Sequence, residues 1–497
     1  MCSLPALLPT YPAMVDLPQH AAQIEAIRGV LAGDWQYAHL FQLTYLTPYW
    51  IGYFFVLLLS PVVGTVWGVK LVAGAALASL PWCAWRFLLL YRPPAPLRWL
   101  LLPIPFGFAY EWGFLNFLIA IPIGFMTLRV ILSQGAQRAP WWKGILWVHL
   151  LFFAHILAAA MFCSVAAFLM MTPWKGFAAW LKRMTPQLSV LPVLFAYMFS
   201  TLAGANNAGD PFDWRLGWHR MPELVQGFLS GPTWATGVAL TVTALAAPWL
   251  LGYRPHRDAA YGLPFVLYLA WMLLIPNYML GNFFNYQRFG FVGYPLYLLC
   301  FNYAAAPVRG QYPKLIGSGL LAIALAMVGF QINRVLTFDR EYADYERTIT
   351  HADPGKRMLI FAVDRYSAIS QAPLYLHFPS WYQARTRGLV DYSFASMFVI
   401  IEYKDKANHP IPSGFEWYPL YFHWQRNQGE LFDYFIFRSM QDPVPWMRAK
   451  SGCRVKLVSH HGAWWLFART ENPDPACAHL ESSPDATARK APVEPQQ

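Results

Sequence analysis

Seven residues near the start of the chain, Met14-Val15-Asp16-Leu17-Pro18-Gln19-His20, hold the first pair that can do chemistry. Asp16 and His20 are four positions apart, so on a helix they share a face. A carboxylate there suits a general base toward a hydroxyl, or one ligand of a divalent cation such as Mg²⁺ or Mn²⁺, with His20 as its neighbour. The same residues also read as a helix start. Asp16 can act as N-cap, Gln19 three positions on can complete a capping box, and Pro18 is tolerated in a first turn.

Three other places carry candidate groups. Glu111, in Tyr110-Glu111-Trp112-Gly113, lies between apolar stretches, either buried in a cavity or marking a wet turn. Asn285 and Arg288 belong to the amide- and aromatic-rich run Asn282-Phe283-Phe284-Asn285-Tyr286-Gln287-Arg288. An arginine at the edge of an apolar segment can hold a phosphate bidentately, or simply anchor the segment at an interface. Arg215 and His219 sit in a tryptophan-containing loop suited to a sugar or head group, and equally to an ordinary interfacial loop. His149 and His155 are six apart, about 600° around a helix, so they cannot share a metal; hydrogen bonding between helices is expected of them. His377 and His423 fall in aromatic runs of the tail, where core packing is the first expectation.

The elements that must position these groups are mostly apolar. The chain of 497 residues is 57% hydrophobic, 17% aromatic and 13% charged, with a mean hydropathy of +0.31. Soluble domains carry about 25% charged residues, so this is a polytopic membrane protein diluted by a soluble part. The net charge of +11 contains no basic run, which argues against nucleic acid; the Lys and Arg lie where a membrane surface would anchor them. Spans are expected near 48–66, 72–91, 112–132, 144–171, 188–204, 234–251, 259–280, 289–306 and 314–334, with a short or re-entrant piece at 98–110, about 9–10 in all. Basic loops at 254–257 and 309–314 place those turns in the cytoplasm. The N-terminal segment then faces outside, with everything after 336, only if residues 98–110 cross. The first twenty residues have neither a basic n-region nor an h-region, so no cleavable signal peptide is expected.

The expected organisation is an extracytoplasmic segment, 1–45, with an amphipathic interfacial helix from Asp16 to Gly33; a transmembrane domain, 46–335; a small α/β extracytoplasmic domain, 336–480; and a disordered end, 481–497. In the tail, 358–363, 434–437, 454–458 and 464–468 read as strands, with a hairpin at Gly462. Of six Cys, none shows metal-type spacing. Cys453 and Cys477 are the pair in the tail and, in an oxidising compartment, a candidate disulfide.

An acidic motif, an amphipathic helix, a many-span core and a small C-terminal domain, in that order, resemble the C-type (GT-C) superfamily of membrane glycosyltransferases. Segments Tyr110-Glu111-Trp112-Gly113-Phe114-Leu115-Asn116 and Tyr286-Gln287-Arg288-Phe289 add to the likeness. The family has a span before its acidic motif; residues 1–13 are too short and proline-rich to be one. The resemblance implies a multi-pass protein of the bacterial inner membrane that takes a sugar from a polyprenyl-phosphate donor. The sugar would pass with inversion to a glycan, lipid or protein acceptor of the cell envelope. It implies Asp16 as base, Arg288 and a metal as stabilisers of the departing phosphate, and membrane lipids as neighbours. A non-catalytic assembly subunit and a transporter or flippase are the alternatives.

Overall fold

The sequence's longest apolar runs become helices in the computed structural model. It describes all residues except 138–139, 172–173, 205–211, 230, 232, 280–281, 305–312, 397–399, 406–410 and 472–497. The protein is mostly helical with a small sheet region. Among the described residues three helices are long and apolar enough to cross a membrane: Thr65–Leu88, Leu115–Ser133 (continuing to Gln137) and the apolar part of Pro313–Ile349. Shorter apolar helices cover Trp50–Val63, Trp141–Ala154, Ile156–Leu169, Trp234–Leu250 and Leu263–Leu274.

Several expected spans are therefore corrected. The first break falls at Gly64, whose φ of 79° only glycine adopts readily, not at 68–70. The region 289–306 is not one helix: a 3-10 turn, Gln287–Val292, and a six-residue helix, Gly293–Leu298, carry the chain from Arg288 to the 254–257 loop, where the Cys300 carbonyl accepts from the His256 N–H at 2.8 Å. The single span expected over 144–171 is two helices that meet at His155, an extended residue with φ −167° and ψ 122°. On one arm, the Trp147 carbonyl accepts from the Thr127 hydroxyl. On the other, Phe162 packs on Gly124 and Phe125. The His155 ring itself meets Phe117. Both arms thus run from His155 in the same direction along the Leu115–Gln137 helix, as a re-entrant hairpin.

Residues 95–111 take an irregular path. They form 3-10 turns, Ala95–Leu101 and Ile104–Phe106, and one helical turn, Phe108–Glu111. Pro103 and Pro105 remove the donors that an α-helix would need. The stretch nonetheless runs the length of the Pro313–Glu341 helix. Pro96 lies against Gly317 at one end, and Glu111 pairs with Arg334 at the other, 2.8 Å apart. Seventeen helical residues separate those anchors, about 25 Å. Non-helical backbone at such depth is tolerated where protein buries it, and Leu97, Leu100, Leu101, Ile104 and Phe106 are all buried. The segment brings the chain start to the side that carries the tail.

The tail and the first 45 residues form one body. In the tail, β2 (Arg357–Ala362), β3 (Leu389–Val390), β5 (Tyr434–Arg438), β6 (Val455–His461) and β7 (Trp464–Arg469) make a five-stranded sheet in the order β3-β2-β5-β7-β6. β2 is parallel to β3 and β5; β7 is antiparallel to β5 and β6, with the expected hairpin turning at Gly462. β1 (Phe41–Leu43) of the N-terminal segment pairs antiparallel with β4 (Ile401–Tyr403) of the tail. The expected boundary at 335/336 falls inside the continuous Pro313–Glu341 helix. Cys453 is buried; the expected Cys453–Cys477 disulfide and the 481–497 end fall on residues outside those described.

The Leu17–Ala32 helix is not an interfacial helix. Twelve of its sixteen residues are buried, because it packs on both the Thr65–Leu88 helix and the Trp381–Thr386 helix. Gln383 Nε2 donates to the Ala22 carbonyl at 3.0 Å, and Arg387 holds Asp34 beyond the helix end at 3.0 Å. Gly33 ends it in the left-handed conformation, as expected.

Candidate active site

Asp16 stands where three parts of the molecule meet. Its backbone N–H donates to the Trp112 carbonyl (2.9 Å) and that of Val15 to the Glu111 carbonyl (3.0 Å), so the 14–16 strand is clamped to the end of the 95–111 segment. The clamp needs Gly113. It has φ +72°, and a Cβ there would lie 2.9 Å from Met14 Cβ and 3.0 Å from the Leu17 nitrogen. Gly113→Ala is expected to cost about 1–3 kcal/mol by overpacking and to shift Asp16 without removing any chemical group. Thermal unfolding in detergent, read beside activity, checks this.

The capping box does not form. Asp16 occupies the N-cap position, but its side chain makes no capping hydrogen bond. Gln19 Nε2 turns instead to Ser380 Oγ and the Tyr392 carbonyl, both at 2.9 Å. The Asp16 side chain, 12% exposed, faces His377, with Oδ1 3.6 Å from Nε2. His377 Nδ1 lies 2.9 and 3.0 Å from the two oxygens of Glu416, and the imidazole stacks on Tyr392 with centroids 5.3 Å apart. The order Asp16–His377–Glu416 is a line of three buried groups across which protons can be redistributed.

Burial dominates its electrostatics. It pushes Asp16 up to about 6, against the lowering pull of His377 and Arg288. It pushes His377 down to about 4, with Asp16 opposing, and holds Glu416 well above the carboxylate range. His377 Nδ1 is thus engaged by Glu416, and Nε2 is turned toward Asp16. A carboxylate near 6 is suited to accepting a proton close to neutral pH. The separation of 3.6 Å exceeds a hydrogen bond, as catalytic contacts often do before substrate tightens them.

The other expected residues divide. His20 is at the site: Nδ1 meets the Tyr53 hydroxyl at 2.7 Å, and Tyr53 in turn donates to Gln23 Oε1. Burial, then the His377 and Arg288 charges, push His20 down to about 3, so it stays neutral. Arg288 is buried, donates to the Phe283 carbonyl at 2.6 Å and lies 3.9 Å above the Phe114 ring. Asn285 does not reach Asp16 by any hydrogen bond; its Nδ2 ties the turn ahead of Arg288 by donating to the Asn282 carbonyl at 2.9 Å. Glu111 contributes its backbone, while its carboxylate is taken by Arg334 and by the Ser370 hydroxyl at 3.3 Å. Arg215 pairs with its neighbour Asp213 at 2.7 Å on an exposed loop, and His219 is exposed on the same loop. No described contact ties either to Asp16. His377 and Glu416 are site residues that sequence reading missed.

The site does not present a metal-binding donor set. Among the described residues no group of three or more His, Cys, Asp or Glu side chains can hold a metal ion. Asp16 supplies one carboxylate, and the His20 Nδ1 is engaged by Tyr53. No step below is routed through Mg²⁺ or Mn²⁺.

Neither a family model nor a curated protein matches the chain. Among solved structures, the mycobacterial arabinofuranosyltransferase AftD is similar over 95% of this chain, at 16% identity and a TM-score of 0.44. This chain spans 39% of the length of that one.

Proposed function

We propose that the protein is a membrane glycosyltransferase of the GT-C kind. It would move a sugar from a polyprenyl-phosphate donor to a hydroxyl of an envelope glycan, lipid or protein, with inversion. One observation carries this reading: the Asp16 carboxylate, free of any capping bond, is buried against His377, within electrostatic reach of Arg288. It lies where apolar helices meet the tail domain. A lipid carrier would reach this junction from the membrane and an acceptor from the tail side. We place both the N-terminal segment and the tail outside the inner membrane.

In the reaction, Asp16 takes the proton of the acceptor hydroxyl as its oxygen attacks the anomeric carbon. The bond from that carbon to the phosphate oxygen breaks, and the polyprenyl phosphate leaves with the electron pair. Arg288 stabilises the charge that develops on it. His377, held by Glu416 and Tyr392, orients Asp16. Reconstitution with polyprenyl-phosphate sugars and envelope acceptors tests this. The expected result is a new glycosidic bond with release of polyprenyl phosphate. Stable binding to envelope partners with no turnover of any donor would instead support an assembly subunit.

A further inference from the structure

The break at His155 is a buried polar feature near the site that the reaction above does not use. His155 is 3% exposed, and its Nδ1 has no hydrogen-bond partner among the described residues. It stands as N-cap of the fourteen-residue Ile156–Leu169 helix without making a side-chain cap bond. The amides at that helix start carry the positive end of its dipole with no side-chain cap, beside the negative end of Trp141–Ala154, which ends at the same residue. Arg288 is buried nearby: the Phe117 ring touches both the His155 ring, at 5.0 Å, and that of Phe289, the residue after Arg288, at 4.9 Å, and Arg288 Nε also lacks a partner among the described residues. The His155 ring is edge-on to Tyr49 at 5.2 Å and to Phe117 at 5.0 Å. Tyr49 immediately precedes the Trp50–Val63 helix, and Phe117 lies in the first turn of Leu115–Gln137. Both are at the Asp16 end of their helices, so the break lies at that end too.

We propose that the apex of the re-entrant hairpin, His155 with the start of the Ile156–Leu169 helix, is a phosphate-binding site shared with Arg288. A helix start with an unsatisfied imidazole at its cap and a buried cation in the neighbourhood suits an anionic oxygen group and disfavours a neutral one. His155 Nδ1–H donates to one phosphate oxygen, the helix-start amides surround another, and Arg288 bridges from this site toward Asp16. The hairpin would then hold the phosphate end of a lipid carrier while its chain lies among the helices. The identity of the ligand rests on the glycosyltransferase reading; its test does not, because binding is measured without turnover.

The test is equilibrium binding of a polyprenyl monophosphate to the full chain in nanodiscs, with inorganic phosphate and neutral polyprenol as competitors. Wild type is expected to bind the phosphate lipid. H155F is expected to bind it about tenfold more weakly, the loss of one hydrogen bond to a charged group. H155Q, which keeps a donor, is expected to recover most of the affinity, which separates a lost contact from a lost fold. Displacement by inorganic phosphate would assign recognition to the phosphate group itself; displacement only by another phosphorylated lipid would assign it to the head group of a carrier. Equal binding by wild type and a folded H155F, or equal competition by neutral polyprenol, would overturn the proposal. Binding through His155 in a protein that transfers no sugar would defeat the glycosyltransferase reading and leave this one standing.

Discussion

Asp16→Asn is expected to lower sugar transfer by roughly 10²- to 10⁴-fold, the range over which a general base contributes. The replacement keeps the shape of the side chain and removes only its basicity. Because Asp16 makes no capping bond, the Leu17–Ala32 helix loses no partner. Burying an amide is easier than burying a carboxylate, so the melting temperature at pH 7 is expected to stay level or rise. Donor affinity should change little, since Asp16 acts on the acceptor. Steady-state kinetics beside thermal unfolding separate these outcomes. Transfer at the wild-type rate in a folded Asp16→Asn would remove the residue from the chemistry.

Arg288→Gln is expected to act on the other half of the reaction. Losing one preorganised group that stabilises developing charge costs about 10²- to 10³-fold in kcat. Arg288→Lys should recover only part of this, because an ammonium cannot reproduce the fork of a guanidinium. The position also matters to packing: the guanidinium covers the Phe114 ring and donates to the Phe283 carbonyl. The Lys variant is therefore the better reporter on chemistry. A variant with unchanged kcat and a raised KM would reassign Arg288 from transition-state stabilisation to uniform binding.

How far the sequence revealed this arrangement depends on the kind of signal each part carries. Hydropathy marked the helices Thr65–Leu88, Leu115–Gln137 and Pro313–Glu341, because apolar runs of that length have few other uses. Alternation and β-branched or aromatic residues marked β2, β5, β6 and β7. Residues 98–110 read as a short or re-entrant piece because Pro103 and Pro105 break the α-helical pattern on which span prediction depends. Their path along Pro313–Glu341 is a tertiary fact. The re-entrant turn at His155 was invisible for the opposite reason: one extended residue inside a continuous apolar run leaves no mark in composition. Asp16 and Arg288 could be singled out as charged groups beside apolar sequence. His377 and Glu416 could not, since they lie hundreds of residues from Asp16 and their local sequence is that of an aromatic core. The stretch 17–32 was expected to be amphipathic at a lipid surface, but it has two packing partners, the Thr65–Leu88 helix and the tail, which bury its polar residues Gln19, His20, Gln23 and Glu25 as well.

The measurement that tests the central claim most directly is the pH dependence of kcat/KM for sugar transfer by the reconstituted wild-type protein. Asp16 accepts a proton only when ionised, and burial raises it to about 6. The rate is therefore predicted to climb as pH rises through about 6 and to level off above it. His377, pushed down to about 4, stays neutral across that window. An unburied aspartate would place the same limb near pH 4. The residual activity of Asp16→Asn should lack the limb altogether. A rate that is flat between about pH 4.5 and 8, or a limb near 6 that persists in Asp16→Asn, would contradict the assignment of Asp16 as the base.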